Sequence, residues 1–236
     1  MPKQKGGNAA HVLVGDPPVE VHLKRSARAR RMSLRVSGLD SKVTLTLPDG
    51  VAESQGLAFA AEKADWLRSQ IARQPDVVEV GLGATVPIFG DPLQIVAGQG
   101  RRIVVADGQI HLPGNPETAA RRLAAFLKTL ARDQLSAASD RYAADLRLPY
   151  DRISIRDTRS RWGSCSSAGV LMYSWRLVMA PMEVLEYVAA HEVAHLRHMN
   201  HSQDFWDQVA ELYGDYHAPR QWLRDHGADL HRYRFG

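Results

Sequence analysis

The residues of this chain whose types and spacing can do chemistry are His191, Glu192 and His195, with His201 six positions further on. On a helix, residues four apart lie about 40° apart around the axis and one turn along it, so His191 and His195 point the same way and can grip one metal ion. Glu192 lies about 100° from His191, within reach of a water on that ion. Two neutral imidazoles and a third ligand leave one position of a tetrahedral zinc open. Zinc lowers the pKa of water there to about 7, and Glu192, as general base, takes the proton as the water attacks a carbonyl. The expectation is one Zn2+ per chain and a hydrolase.

Two histidines compete for the third position. If the helix continued, His198 would share the face of His191 but sit about 10 Å along the axis, too far to serve one ion with the other two. His201 is better placed if the helix breaks first. Asn200 can take the left-handed conformation that ends helices, and Ser202 suits the N-cap of the next one. Glu211 is a weaker substitute. The spacing H-E-x-x-H-x-x-x-x-x-H matches the ligand spacing of metzincins, although His198 stands where they carry Gly and no methionine follows Met199. The bland alternative is a solvated, idle set of histidines. Against it, Val184, Leu185, Val188, Ala189, Ala190, Val193, Ala194 and Leu196 make the helix apolar nearly all round, which signals burial. Polar groups there are costly unless satisfied, and a metal satisfies them.

The elements that must position these residues follow from the rest of the chain. Its 236 residues, 44% hydrophobic and 24% charged, fit a globular protein of one large or two small domains. A net charge of +4 and a pI near 9.3 permit an anionic partner without requiring one. Cys165 is the single cysteine, so no internal disulfide forms, and the metal motif explains the histidines better than a Cys165 nucleophile does. No signal-like or membrane-length apolar run occurs, so a cytoplasmic protein away from membranes is expected.

The fold expected is α+β: a β-rich N-terminal part over 18–113 with one helix, then a catalytic domain over 117–236. Residues 1–17 read as a loose tail. VEVHL, RRMSLRV and KVTLTL read as strands, and Val51 to Gln74 as one helix ended by Pro75, with Trp66 packed on its apolar stripe. Short strands follow to residue 113, with Asp107-Gly108 as a hairpin turn. Pro113-Gly114-Asn115-Pro116 is the expected boundary. A long helix then runs from Glu117 to Leu146. Ile153–Asp157 and Val170–Met179 read as the arms of a β-hairpin. Their connection, 158–169, is long enough to carry function. Arg159 or Arg161 there could hold a substrate oxyanion or carboxylate; equally, Trp162 is core and the Ser and Gly residues are turn formers. Pro181 opens the metal helix, and a second helix spans Asp204 to Tyr213. His217, His226 and His231 read as exposed and idle.

The runs RSRWGSCSS, YSWRLVMAP and HEVAHLRHMNHSQDFW resemble the YgjP-like metal-dependent hydrolases, relatives of the SprT-like and WLM zinc metallopeptidases. KRSARARRMSLRV and DWLRSQ look like that family's N-terminal half. The resemblance implies a zincin-like catalytic domain with His191, His195 and His201 as ligands, His198 at a non-ligand position and Glu192 as base. It does not name a substrate.

Three readings follow. The first is a zinc metallopeptidase acting on a peptide or protein, with a donor from the 158–169 loop stabilising the oxyanion. The second is a nucleotide or phosphoester hydrolase whose phosphates are clamped by Arg28, Arg30, Arg31, Arg159 and Arg161. It lacks a carboxylate cluster for a second ion, and the dense basic run around Arg28 has no interleaved aromatics. The third is a non-enzymatic nucleic-acid module with structural zinc, which leaves Glu192 unexplained and has too few ligands. Oligomeric state is not indicated.

Overall fold

The structure is a computed structural model that describes residues 10–37, 41–72 and 76–236. The chain divides into two compact units, Met1–Asp76 and Val77–Gly236.

In the first unit, β1 (Ala10–Leu13), β2 (Val19–Arg25), β3 (Ser33–Val36) and β4 (Val43–Leu47) form one sheet in the order β1-β2-β4-β3. Alternation puts Val19, Val21 and Leu23 of β2 and Val43, Leu45 and Leu47 of β4 on one buried face, where Ala60 and Leu67 join them. Three expectations change. Residues 10–13 are a strand paired with β2, not tail. The single helix is two, α1 (Glu53–Glu62) and α2 (Ala64–Ala72), interrupted at Lys63. Trp66 is 45% exposed, on the helix face away from the buried stripe. Pro75, expected to end the helix, lies outside the described residues.

In the second unit, β5 (Val78–Glu79) precedes a four-stranded sheet of β6 (Thr85–Ile88), β7 (Asp91–Gly98), β8 (Val104–Ala106) and β9 (Gln109–Pro113), ordered β6-β7-β9-β8. Asp107 and Gly108 both have positive φ, 51° and 70°, and close the β8–β9 hairpin as expected. This sheet does not belong to an N-terminal domain ending at 113. Its Val86, Ile88, Leu93, Ile95, Ile110 and Leu112 share one core with Leu123, Leu127 and Leu135 of α3 (Ala119–Leu146). The punctuation at 113–116 that reads as a linker is a turn into that helix: Asn115 Oδ1 accepts from the Glu117 amide at 2.9 Å.

Next come β10 (Arg152–Arg156), β11 (Gly163–Cys165) and β12 (Val170–Ser174), ordered β10-β12-β11. The expected hairpin is absent, because β10 runs parallel to β12. The antiparallel partner of β12 is β11, formed within the stretch read as loop. Residues 175–179 leave the sheet as a short 3-10 turn with Trp175, Leu177, Val178 and Met179 all buried. α4 (Met182–Ala194), α5 (Gln203–Tyr213) and α6 (His217–His226) follow, and β13 (Tyr233–Arg234) pairs with β5. The C-terminal segment is tied down by Arg176, which donates to Asp157 at 2.8 Å and to the carbonyls of Leu230 and Tyr233 at 2.8 and 3.2 Å. His231, expected to be exposed, is 7% exposed and stacks on Trp162 with centroids 5.3 Å apart. Among the described residues no helix is long and apolar enough to cross a membrane.

Candidate metal centre

α4 is buried on nearly every side, as its composition dictates, with Val184, Leu185, Val188, Ala189, Val193 and Ala194 all in the core. Its last turn carries His191 and Glu192, and His195 forms the C-cap. The helix therefore ends at Ala194, six residues before Asn200, the expected break. Asn200 is not in the left-handed region; its side chain accepts from the Ser202 amide at 3.3 Å. Ser202 does occupy the N-cap of α5, although its hydroxyl makes no capping bond. The joint swings His201 back onto the end of α4. Ligand atoms of His191, His195 and His201 lie within 4.8 Å of one another, and the Nε2 atoms of His191 and His201 face each other at 3.2 Å. His198 and Glu211 are not in this cluster. His198 contributes only its carbonyl, 2.9 Å from His195 Nδ1, and Glu211 accepts from Gln208 Nε2 at 2.7 Å.

Two features missed in the sequence hold the triad. Phe205, fully buried, is a floor beneath all three rings: it stacks on His195 at 4.4 Å and meets His191 and His201 edge-on at 4.9 and 4.7 Å. The signal that could have found it is the apolar repeat of Phe205 and Val209, the buried face of α5. Arg197 pins the joint, donating to Gln208 Oε1 at 2.6 Å and to the Leu146 carbonyl at 2.8 Å.

The electrostatics suit a cation. Burial pushes His191 down to about 3, helped by His195, His201 and Arg220, and burial also lowers His195. Both rings are thus neutral at neutral pH, the form that donates lone pairs to a metal. The His198 carbonyl is positioned to hold the proton of His195 on Nδ1, which leaves Nε2 to ligate. Two ligands about 2.1 Å from one tetrahedral ion sit roughly 3.4 Å apart, so a triad this compact fits. The Nδ1 of His191 is buried without a partner.

Glu192 is buried and shares a cavity of about 240 Å³ with the three histidines, Gly163, Ser164, Cys165 and Met199. Burial pushes its carboxyl up to about 8 against the opposing charge of Arg161 and a hydrogen bond from the Cys165 backbone. A cation held by the triad acts in the same direction as Arg161. β11 thus supplies one wall of the site, which the sequence could not place. The Cys165 thiol is pushed up to about 11 by burial and by Glu192, so it is no thiolate at neutral pH. Arg159 and Arg161 are absent from the cavity wall; Arg161 acts on Glu192 through its charge, and that of Arg159 falls on His231. Arg28, Arg30 and Arg31 belong to the first unit. Among the described residues no second group of His, Cys, Asp or Glu is gathered to hold a metal.

The family profile described as "YgjP-like, metallopeptidase domain" matches residues 30–226. The chain belongs to the YgjP-like metallopeptidase-domain family. That membership, with the histidine cluster, supports a divalent metal and a peptide or protein substrate for this YgjP-like chain. No curated protein matches it. Among solved structures, the crystal structure of the metallopeptidase zymogen of Pyrococcus abyssi abylysin aligns over 39% of this chain and 92% of that chain, at 20% identity and a TM-score of 0.35. At that score the likeness carries no inference about fold or mechanism.

Proposed function

We propose that this chain is a zinc-dependent peptidase in which His191, His195 and His201 hold the ion and Glu192 is the general base, within a zincin-like catalytic unit. The observation that carries the reading is the buried carboxylate of Glu192 in the same small cavity as three convergent imidazoles. Held there, zinc supplies Lewis acidity that lowers the pKa of water and polarises a peptide carbonyl. Glu192 takes the proton of the attacking water and delivers it to the leaving amine. Its burial favours the protonated form and the neighbouring cations the carboxylate, so it can both accept and return the proton. The wall formed by Gly163, Ser164 and Cys165 is where a donor from the 158–169 loop would meet the developing oxyanion.

The test is turnover of a mixed peptide library by zinc-loaded wild type and Glu192→Gln, read by mass spectrometry. Cleavage by wild type and its loss in the variant, with zinc retained by both, is expected. Equal cleavage by both would remove Glu192 from the mechanism.

A further inference from the structure

Three cavities open in series from the metal site. The first is the one lined by the histidines and Glu192. It shares His195 and Met199 with a second of about 460 Å³. The second shares Leu148, Pro149 and Tyr150 with a third of about 540 Å³, which reaches the C-terminal end of α3. Shared lining residues place the second cavity next to the first and the third next to the second. A peptide with its scissile bond in the first cavity therefore places neighbouring side chains in the second.

The second cavity has the volume of a small-ligand pocket, and its walls decide what enters. Leu148, Ala168, Leu196 and Met199 present apolar surface, and Met199 is 56% exposed at the rim it shares with the metal cavity. Three polar groups nearby already have partners. The Tyr150 hydroxyl donates to Asp140 at 2.5 Å, the Asp151 carboxylate accepts from Arg152 at 2.7 Å, and Ser166 Oγ accepts from the Val170 amide at 3.1 Å. An apolar guest displaces water from the apolar part of the walls and leaves those bonds intact.

We propose that the cavity between the Ser166–Gly169 turn and the Leu148–Asp151 corner is the pocket that selects the substrate, taking a large apolar side chain near the scissile bond of an extended peptide. The proposal rests on the peptidase reading. The turn carrying Ala168 is exposed, so substitutions there can alter the pocket without disturbing the core.

The experiment is cleavage-site profiling of the peptide library by zinc-loaded wild type, Ala168→Trp and Ala168→Glu. It is paired with calorimetric binding of two peptides that differ by Leu or Gly at the selected position to zinc-loaded Glu192→Gln. Wild type should enrich Leu, Met or Phe at one position beside the cleaved bond, and Glu192→Gln should bind the Leu peptide at least tenfold more tightly. Ala168→Trp should cut the Leu-over-Gly preference at least tenfold, and Ala168→Glu should raise cleavage beside Lys or Arg. Cleavage without apolar preference, or a preference that both variants leave unchanged, would overturn the pocket assignment while sparing the peptidase reading. Absence of any cleavage by zinc-loaded wild type would overturn both.

Discussion

Gly163 lies against the carboxylate of Glu192 so closely that a β-carbon there would stand 2.6 Å from Glu192 Cγ and 2.7 Å from Cδ, with Oε1 nearer still. The strand that carries Gly163 also sends the Cys165 backbone N–H to the same carboxylate. Glu192 is therefore positioned by the absence of one side chain and the presence of one amide. Gly163→Ala should displace the carboxylate without touching the histidines. Since misplacement by about 1 Å can cost on the order of 100-fold, kcat should fall by roughly that factor. Zinc content should stay at the wild-type level. Parallel measurement of kcat and bound zinc checks this; loss of zinc together with activity would mean that Gly163 supports the whole site instead.

Arg197 holds the joint between His195 and His201 through Gln208 and the last turn of α3. Partners that orient metal ligands typically contribute 10- to 100-fold in affinity. Arg197→Ala should weaken zinc binding by roughly that range, measured by competition with a chelator of known affinity. An unchanged affinity would show that Phe205 and the joint's own backbone suffice.

His231 supplies a pH dependence away from the metal. Burial pushes it down to about 4, helped by Arg176 and opposed by Asp157. The unfolded chain therefore takes up this proton first as pH falls, and stability is lost progressively from about pH 6.5 to about 4, by up to roughly 3 kcal/mol. Asp157 acts in the same direction. Burial alone would raise it, but Arg176 holds it below its ordinary value, so its contribution is lost as pH falls through that lowered value. His231→Phe, which keeps a ring against Trp162, should flatten the fall in melting temperature between pH 6.5 and 4. Both proteins should be measured in chelator, so that metal bound at the histidine cluster adds nothing to the difference. Parallel slopes for the two would contradict the account.

The parts of this site legible in the sequence are those set by helix periodicity. His191, Glu192 and His195 fall where a 3.6-residue repeat puts them, and the apolar residues between them announce burial. The wall opposite was not legible, because β11 is Gly-Ser-Cys, three residues without the alternation that marks a strand. The parallel pairing of β10 with β12 was hidden for a related reason: two alternating segments in sequence suggest a hairpin, and only the interposed β11 excludes it. The end of α4 at Ala194 carries no sequence mark, because apolar residues continue through Leu196 with no Gly or Pro to stop the helix. At Asn115 helix-capping chemistry and linker composition look alike in sequence, which is why a boundary is expected there and a turn into α3 is found.

In the proposed centre, two histidines at the end of α4 and His201 from the joint that follows hold one zinc ion. The most direct measurement is the zinc content of protein purified without added metal, wild type beside His201→Ala. About one zinc per wild-type chain is expected, in line with a three-histidine site, with its loss or marked weakening in the variant. Full zinc in His201→Ala, or no zinc in wild type even after zinc is supplied, would contradict it.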